Sequence, residues 1–144
     1  MLTKSPSEHT QVPICIWVFE VSQHVFNKPM FQFGFPYKNT FSPEAYTAAF
    51  LVVQHSSNAS LIEKVIKIFS EANNSQINKP DMAYLIDRSR VLQNLLQIYG
   101  TQYKILEDGK IGLFPIENPE GVDERRKEME MESLENYISD TKGI

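Results

Sequence analysis

Cysteine is almost missing from this chain. Cys15 is the only one in 144 residues, so no internal disulfide can form. Its place between Ile14 and Ile16 reads as a small buried hydrophobe rather than a nucleophile. Histidine is also scarce. His9, His24 and His55 have no mutual spacing suited to zinc, so no metal and no cofactor is expected. Long apolar runs are missing too. The longest, residues 14–19, is far short of the ~20 residues that a membrane helix needs, and no small-residue cleavage site follows it cleanly. A cytoplasmic location without membrane attachment is expected. Excess positive charge is absent: 14 Lys+Arg stand against 18 Asp+Glu, a net charge of -4. Without a broad basic surface, nucleic acid is not an expected partner. The chain also lacks G-x-x-x-x-G-K-[ST], G-x-G-x-x-G and G-x-S-x-G, the loops that cradle phosphates or present a nucleophilic serine.

What is present argues for a folded domain. The chain is 42% hydrophobic and 11% aromatic, too apolar for a disordered segment. Its length suits one domain and leaves little room for two. Charge is uneven along it. Residues 1–116 carry nine acids and ten bases, whereas residues 117–144 carry nine acids and only four bases. The acidic ending does not read as a loose tail, because Leu134, Tyr137 and Ile138 recur at helical spacing.

Local signals predict a mainly α fold with a small β-hairpin, an α+β domain. Residues 1–11 are polar and loose; residues 12–21 lean to strand through their β-branched and aromatic content. Residues 27–41 read as an ordered loop that buries aromatics. A first helix starts at Ser42-Pro43-Glu44, with an N-cap, a first-turn proline and an acid at the positive end of the dipole, and runs to about His55. A second opens at the capping box Ser60-Leu61-Ile62-Glu63. A third begins near Pro80-Asp81. These three form a compact helical core. Asp108-Gly109 between short apolar runs predicts a hairpin over residues 103–114, with Glu107-Asp108 at its tip. Residues 123–131 and 133–139 predict two short C-terminal helices. Arg125-Arg126-Lys127, flanked by acids, reads as a solvated charged face, with Asp123 and Lys127 spaced to pair.

Polar residues in apolar stripes mark the candidate site. His55 follows Ala48, Leu51 and Val52 at helical spacing, which places it on a buried face at a helix end. Arg88 sits among Tyr84, Leu85, Val91 and Leu92. A buried guanidinium without partners costs several kcal/mol (about 3–5), so Arg88 needs a carboxylate, carbonyls or cleft water. Asp87 is adjacent in sequence but points elsewhere on the helix. Tyr99-Gly100-Thr101-Gln102 is a compact polar turn between helix and hairpin, with Gly100 suited to positive φ. Each feature has a structural reading beside the functional one: a helix-end histidine, a tether and a turn.

The stretch from about Phe33 to Ile138 resembles a family of small bacterial domains known as domain of unknown function 6624. Gly34-Phe35-Pro36, Gln54-His55, Asp87-Arg88 and Tyr99-Gly100-Thr101-Gln102 carry the resemblance, followed by Val122-Asp123-Glu124-Arg125-Arg126 and Leu134-Glu135-Asn136-Tyr137. Where the family continues Gln-His with Ala-Asp, this chain has Ser56-Ser57, so an acid that could assist His55 is missing. Asn94 and Leu96 replace a Gly and a Pro, and Asn94 can still end the third helix. Residues 1–29 form a divergent, partly ordered N-terminal segment, and residues 30–144 form a single globular domain. The resemblance implies no activity. It does draw Gln54, His55, Asp87, Arg88, Tyr99, Thr101 and Gln102 together as candidate ligand-binding residues.

Three functions follow as expectations. One is a binding or interaction module, with a small polar pocket of His55, Arg88, Tyr99 and Gln102 for an anionic molecule or peptide. Another is an enzyme, with His55 as general acid/base and Arg88 as anion stabiliser. The third is a purely structural role for the motifs, with function on a protein-partner surface.

Overall fold

The computed structural model describes residues 35–142. The expectations for residues 1–11, for the strand over 12–21, and for Cys15, His9 and His24 lie outside the described residues. Within them, five α-helices and one two-stranded antiparallel hairpin make a mainly α fold with a small β element.

Helix α1 spans Pro43–Gln54, and the Ser42 side chain accepts from the Ala45 amide at 3.3 Å. Its buried face is Tyr46, Ala49 and Val53, continued by Ser56. His55 lies just past the helix and is exposed, and Leu51 is 45% exposed. The expected buried face was therefore one residue out of phase. Packing of Tyr46 against Phe35 sets the rotation of α1, and Ser56 rather than His55 turns inward. Helix α2, Ala59–Glu71, is capped by Asn58, two residues before the expected Ser60, because the Asn58 side-chain oxygen Oδ1 accepts from the Leu61 amide at 3.1 Å. Leu61, Ile62, Val65 and Phe69 are buried along it. Phe35 meets Phe69 and Tyr46 edge-on, with centroids 4.9 and 5.8 Å away, so the aromatic loop before α1 plugs the core.

Helix α3, Lys79–Leu92, is the central element and packs on both α1 and α2. Tyr46 donates to Asp81 near its start and Arg88 donates to the Ser56 carbonyl near its end, so α1 and α3 run the same way. Gln93 donates to Glu63 at 2.8 Å, which ties the end of α3 to the start of antiparallel α2. At 100° per residue, Leu85 and Ser89 form one buried side of α3 and Ala83 and Asp87 another. Two buried sides explain why α3 shows no clean apolar stripe in sequence. Asn94, at φ 59, ends it as expected: its amide donates to Val91 and the Leu95 amide to Arg90.

Strands β1 (Tyr103–Ile105) and β2 (Ile111–Leu113) pair in the register Tyr103↔Leu113 and Ile105↔Ile111. The tip closes through Leu106 and Lys110, with Gly109 at φ 79, the conformation that a three-residue hairpin loop requires. A 3-10 turn (Pro119–Gly121) leads into α4 (Val122–Glu128) and α5 (Leu134–Lys142). Asp123 does not pair with Lys127; its carboxylate accepts from the Leu134 amide at 2.8 Å and caps α5. Lys79 and Glu130, 2.9 Å apart, tie the start of α3 to the end of α4.

Candidate functional site

On one side of α3 the candidate residues form a closed hydrogen-bond network. Asp87 is fully buried, and its carboxylate accepts from the amides of Ile98, Tyr99 and Thr101 and from the Thr101 hydroxyl, at 2.6–3.2 Å. The Tyr-Gly-Thr-Gln turn is thus wrapped around one carboxylate. Gly100 has the expected positive φ, 72. A Cβ there would lie 2.8 Å from a Leu134 methyl and 2.9 Å from an Ile116 methyl, so the turn also needs glycine for space.

Gln97 closes the other end of this turn. It is fully buried; its Nε2 donates to the carbonyls of Gln102 and Phe114, and its Oε1 accepts from the Gln102 amide. The side-chain amide thereby acts as a short piece of backbone between the turn and the hairpin. Gln102 donates to the Thr101 hydroxyl and is itself buried.

The two arginines of α4 hold the turn from the outside. Arg125 donates to the carbonyls of Ile98, Glu117 and Asn118 at 2.8–3.0 Å. Arg126 is 1% exposed, donates to the carbonyls of Tyr99 and Glu132, and lies 5.0 Å from the Tyr137 ring centroid. The solvated face expected of this segment is therefore corrected at Arg126. The peptide between Ile98 and Tyr99 accepts a hydrogen bond from Arg125 at its oxygen and donates one to Asp87 from its nitrogen, so each bond polarises the other. Tyr99 stands nearby. Burial, then the charges of Asp87 and Glu128, push its phenol above the ordinary tyrosine range.

Arg88 lies 100° around the helix from Asp87, and its circumstances are different. It is half-buried, its Nε is buried without a partner, and its one hydrogen bond is a long 3.4 Å contact to the Ser56 carbonyl. Among the described residues it forms no ion pair. Arg90, two residues on, bonds to both the Leu96 carbonyl and Glu117. The Ser56 contact brings the Arg88 guanidinium beside the end of α1, where Gln54 is half-buried and the His55 imidazole is exposed. Ser57 is exposed there too.

The candidates therefore divide. Asp87, Thr101, Gln102 and the Tyr99 backbone join one internal network; Gln54, His55 and Arg88 gather at the α1–α2 junction. Residues 27–143 match a family of unknown function, DUF6624. The chain belongs to that family. No curated protein and no solved structure matches it. The DUF6624 motif segments occupy both places. Gln97 and Arg126 were missed as network members because both bond to main-chain carbonyls, which leave no mark in sequence. A polar cleft of about 390 Å³ at the start of α3 holds none of the candidates, and its Lys38 and Lys79 are engaged with Asn78 and Glu130. Among the described residues, no cluster suits a metal ion, and no helix is long and apolar enough to cross a membrane.

Proposed function

We propose that this domain is a cytoplasmic binding module for a small anionic ligand, anchored by Arg88 at the α1–α2 junction with His55 and Gln54 at its edge. One observation carries the reading: Arg88 combines a buried unpartnered Nε with a single long bond, whereas Arg90 and Arg125 have short bonds to two or three acceptors each and Arg126, with one buried nitrogen also unpartnered, has two short bonds. Native proteins seldom leave such a donor unpaired unless a ligand or water completes it. A guanidinium fork matches a carboxylate or phosphate. The His55 imidazole has no orienting partner among the described residues, which favours binding over acid–base catalysis. Neither nucleic acid nor membrane is part of this reading.

The test is an NMR titration of the full chain with inorganic phosphate at millimolar concentration. Saturable shifts at the Ser56 and Arg88 amides are expected, lost in Arg88→Gln and kept in Arg90→Gln. Equal responses of the wild type and Arg88→Gln would overturn the reading. A second reading, a protein-partner surface, draws on the hairpin, where Tyr103, Ile105 and Leu106 are 47%, 76% and 40% exposed. Replacing Ile105 by Ser should then abolish partner capture without lowering Tm.

A further inference from the structure

We infer that the outer face of α1 is a contact surface for a second copy of this chain, paired antiparallel across a two-fold axis. This goes beyond the anion site and shares only His55 with it. Helix α1 carries a single charge, Glu44, in its 12 residues. A helix with solvent on one side ordinarily carries charged residues there. The inner face of α1 is apolar and buried, through Tyr46, Ala49 and Val53. The outer face has little charge either. At 100° per residue, Glu44, Ala48, Leu51 and His55 fall within about 60° of one another, roughly opposite Tyr46 and Val53. All four are exposed. The His55 amide still bonds to the Leu51 carbonyl at 3.0 Å, so His55 keeps its place on this face although the helix ends at Gln54. Ala48, Leu51 and His55 belong to the stripe that the sequence reads as buried, and the structure leaves them exposed.

The two ends of the face select the occupant. A carboxylate stands at the first turn and an imidazole at the last, with Ala48 and Leu51 between them. In a two-fold contact, residue i meets j and j meets i. With the axis midway between Ala48 and Leu51, Glu44 meets His55 of the second copy and Ala48 meets its Leu51, each pair twice. An imidazole donates an N–H to a carboxylate in either of its protonation states, and a small side chain faces a large one. A shallow groove of about 380 Å³ over Pro43, Glu44, Thr47, Ala48 and Leu51 gives the incoming leucine its place. Antiparallel pairing also brings the positive end of one helix dipole beside the negative end of the other. A parallel pair would set Glu44 on Glu44 and His55 on His55. One helix per copy, about 18 Å long, buries less than the ~1,200–2,000 Å² of a stable complex, so the dimer is a weak one.

Sedimentation equilibrium of the full chain in phosphate-free buffer, from about 10 to 500 µM, tests this in the range of a weak interface. The average mass should rise from the monomer's 16.6 kDa toward twice that value. Leu51→Glu sets a like charge one turn from Glu44 of the second copy. It should hold the mass at the monomer value throughout and leave Tm within about 2 °C of wild type, since the position is exposed. His55→Glu should weaken association about tenfold, because two attractive pairs become two repulsive ones. Adding Glu44→Lys to it should restore association to within about threefold of wild type, because the pairs are attractive again. A wild type still monomeric at the highest concentration, a dimer untouched by Leu51→Glu, or a double variant no better than His55→Glu alone would each overturn the contact. A monomer whose Tm falls by several degrees in Leu51→Glu would overturn it too, and would give the face to another segment of the same chain.

Discussion

On one side of α3, Asp87 receives four donors from the 97–102 turn; on the next, Arg88 makes one hydrogen bond of 3.4 Å. Both charges are carried by the same helix, one residue apart. The carboxylate is fully buried and completely met; the guanidinium is half-buried and largely unmet. The difference separates two kinds of motif residue. Asp87, Gln97, Thr101, Gln102, Arg125 and Arg126 hold the junction between the helical core and the hairpin. Arg88 and His55 hold little and face outward. In the network only Arg126 Nη2 is left buried without a partner, on a side chain already held by two short bonds, whereas Arg88 offers an unmet donor beside an exposed imidazole.

The comparison breaks most visibly at Asp87. Asp87→Ala strands several buried donors, each with a desolvation cost of about 1–3 kcal/mol. The expected loss is about 3–5 kcal/mol, seen as a fall in Tm on the order of 10 °C or more. Wild-type Tm in this variant would mean that the turn holds itself. Gly100→Ala comes next. It forces a left-handed alanine, which costs roughly 1–2 kcal/mol, and drives Cβ into Leu134 and Ile116. Denaturant unfolding should show a loss of about 2–3 kcal/mol with an unchanged m-value.

Much of this architecture was legible because its signals are local. Ser42-Pro43 starts α1, Asp108-Gly109 makes the hairpin, and Gly100 and Asn94 take positive φ. What was not legible depends on distant partners. The phase of α1, which turns Ser56 in and His55 out, is set by Phe35 and Phe69 across the core. Arg126 looks like one more charge on a surface helix until it meets the Tyr99 carbonyl, 27 residues upstream. Helical geometry already turned Asp87 away from Arg88, but only the turn that folds back onto α3 shows what Asp87 holds. The site was legible as a set of segments, but not as two sets.

A smaller effect concerns pH. Burial pushes the Tyr46 and Tyr137 phenols well above the ordinary tyrosine value of about 10. Their folded-state pKa values are raised, so the unfolded chain ionises first. The stability they contribute is intact below about pH 10 and is lost as pH rises beyond it. Tyrosinate absorbance should therefore rise in two stages, with the late stage coinciding with unfolding. Tyr137→Phe should remove part of that late stage and, through the lost Thr101 bond, about 1 kcal/mol of stability. A single-stage titration complete before unfolding would contradict the burial of both phenols.

The smallest stability effect is expected at Arg88, and it sharpens the comparison most. Arg88→Gln deletes one long hydrogen bond, worth little at 3.4 Å, and also removes a half-buried cation that forms no ion pair among the described residues. The loss and the gain nearly cancel, so Tm should stay within about 2 °C of wild type or rise slightly, as it does when a site residue held for function is removed. Arg126→Gln is the matched control. It empties a fully buried position bonded to two carbonyls and set against a ring, and should cost about 2–4 kcal/mol. If Arg88→Gln instead costs as much as Arg126→Gln, then Arg88 is a tether of the α1–α2 junction like the arginines of α4, and the two sides of α3 are alike after all.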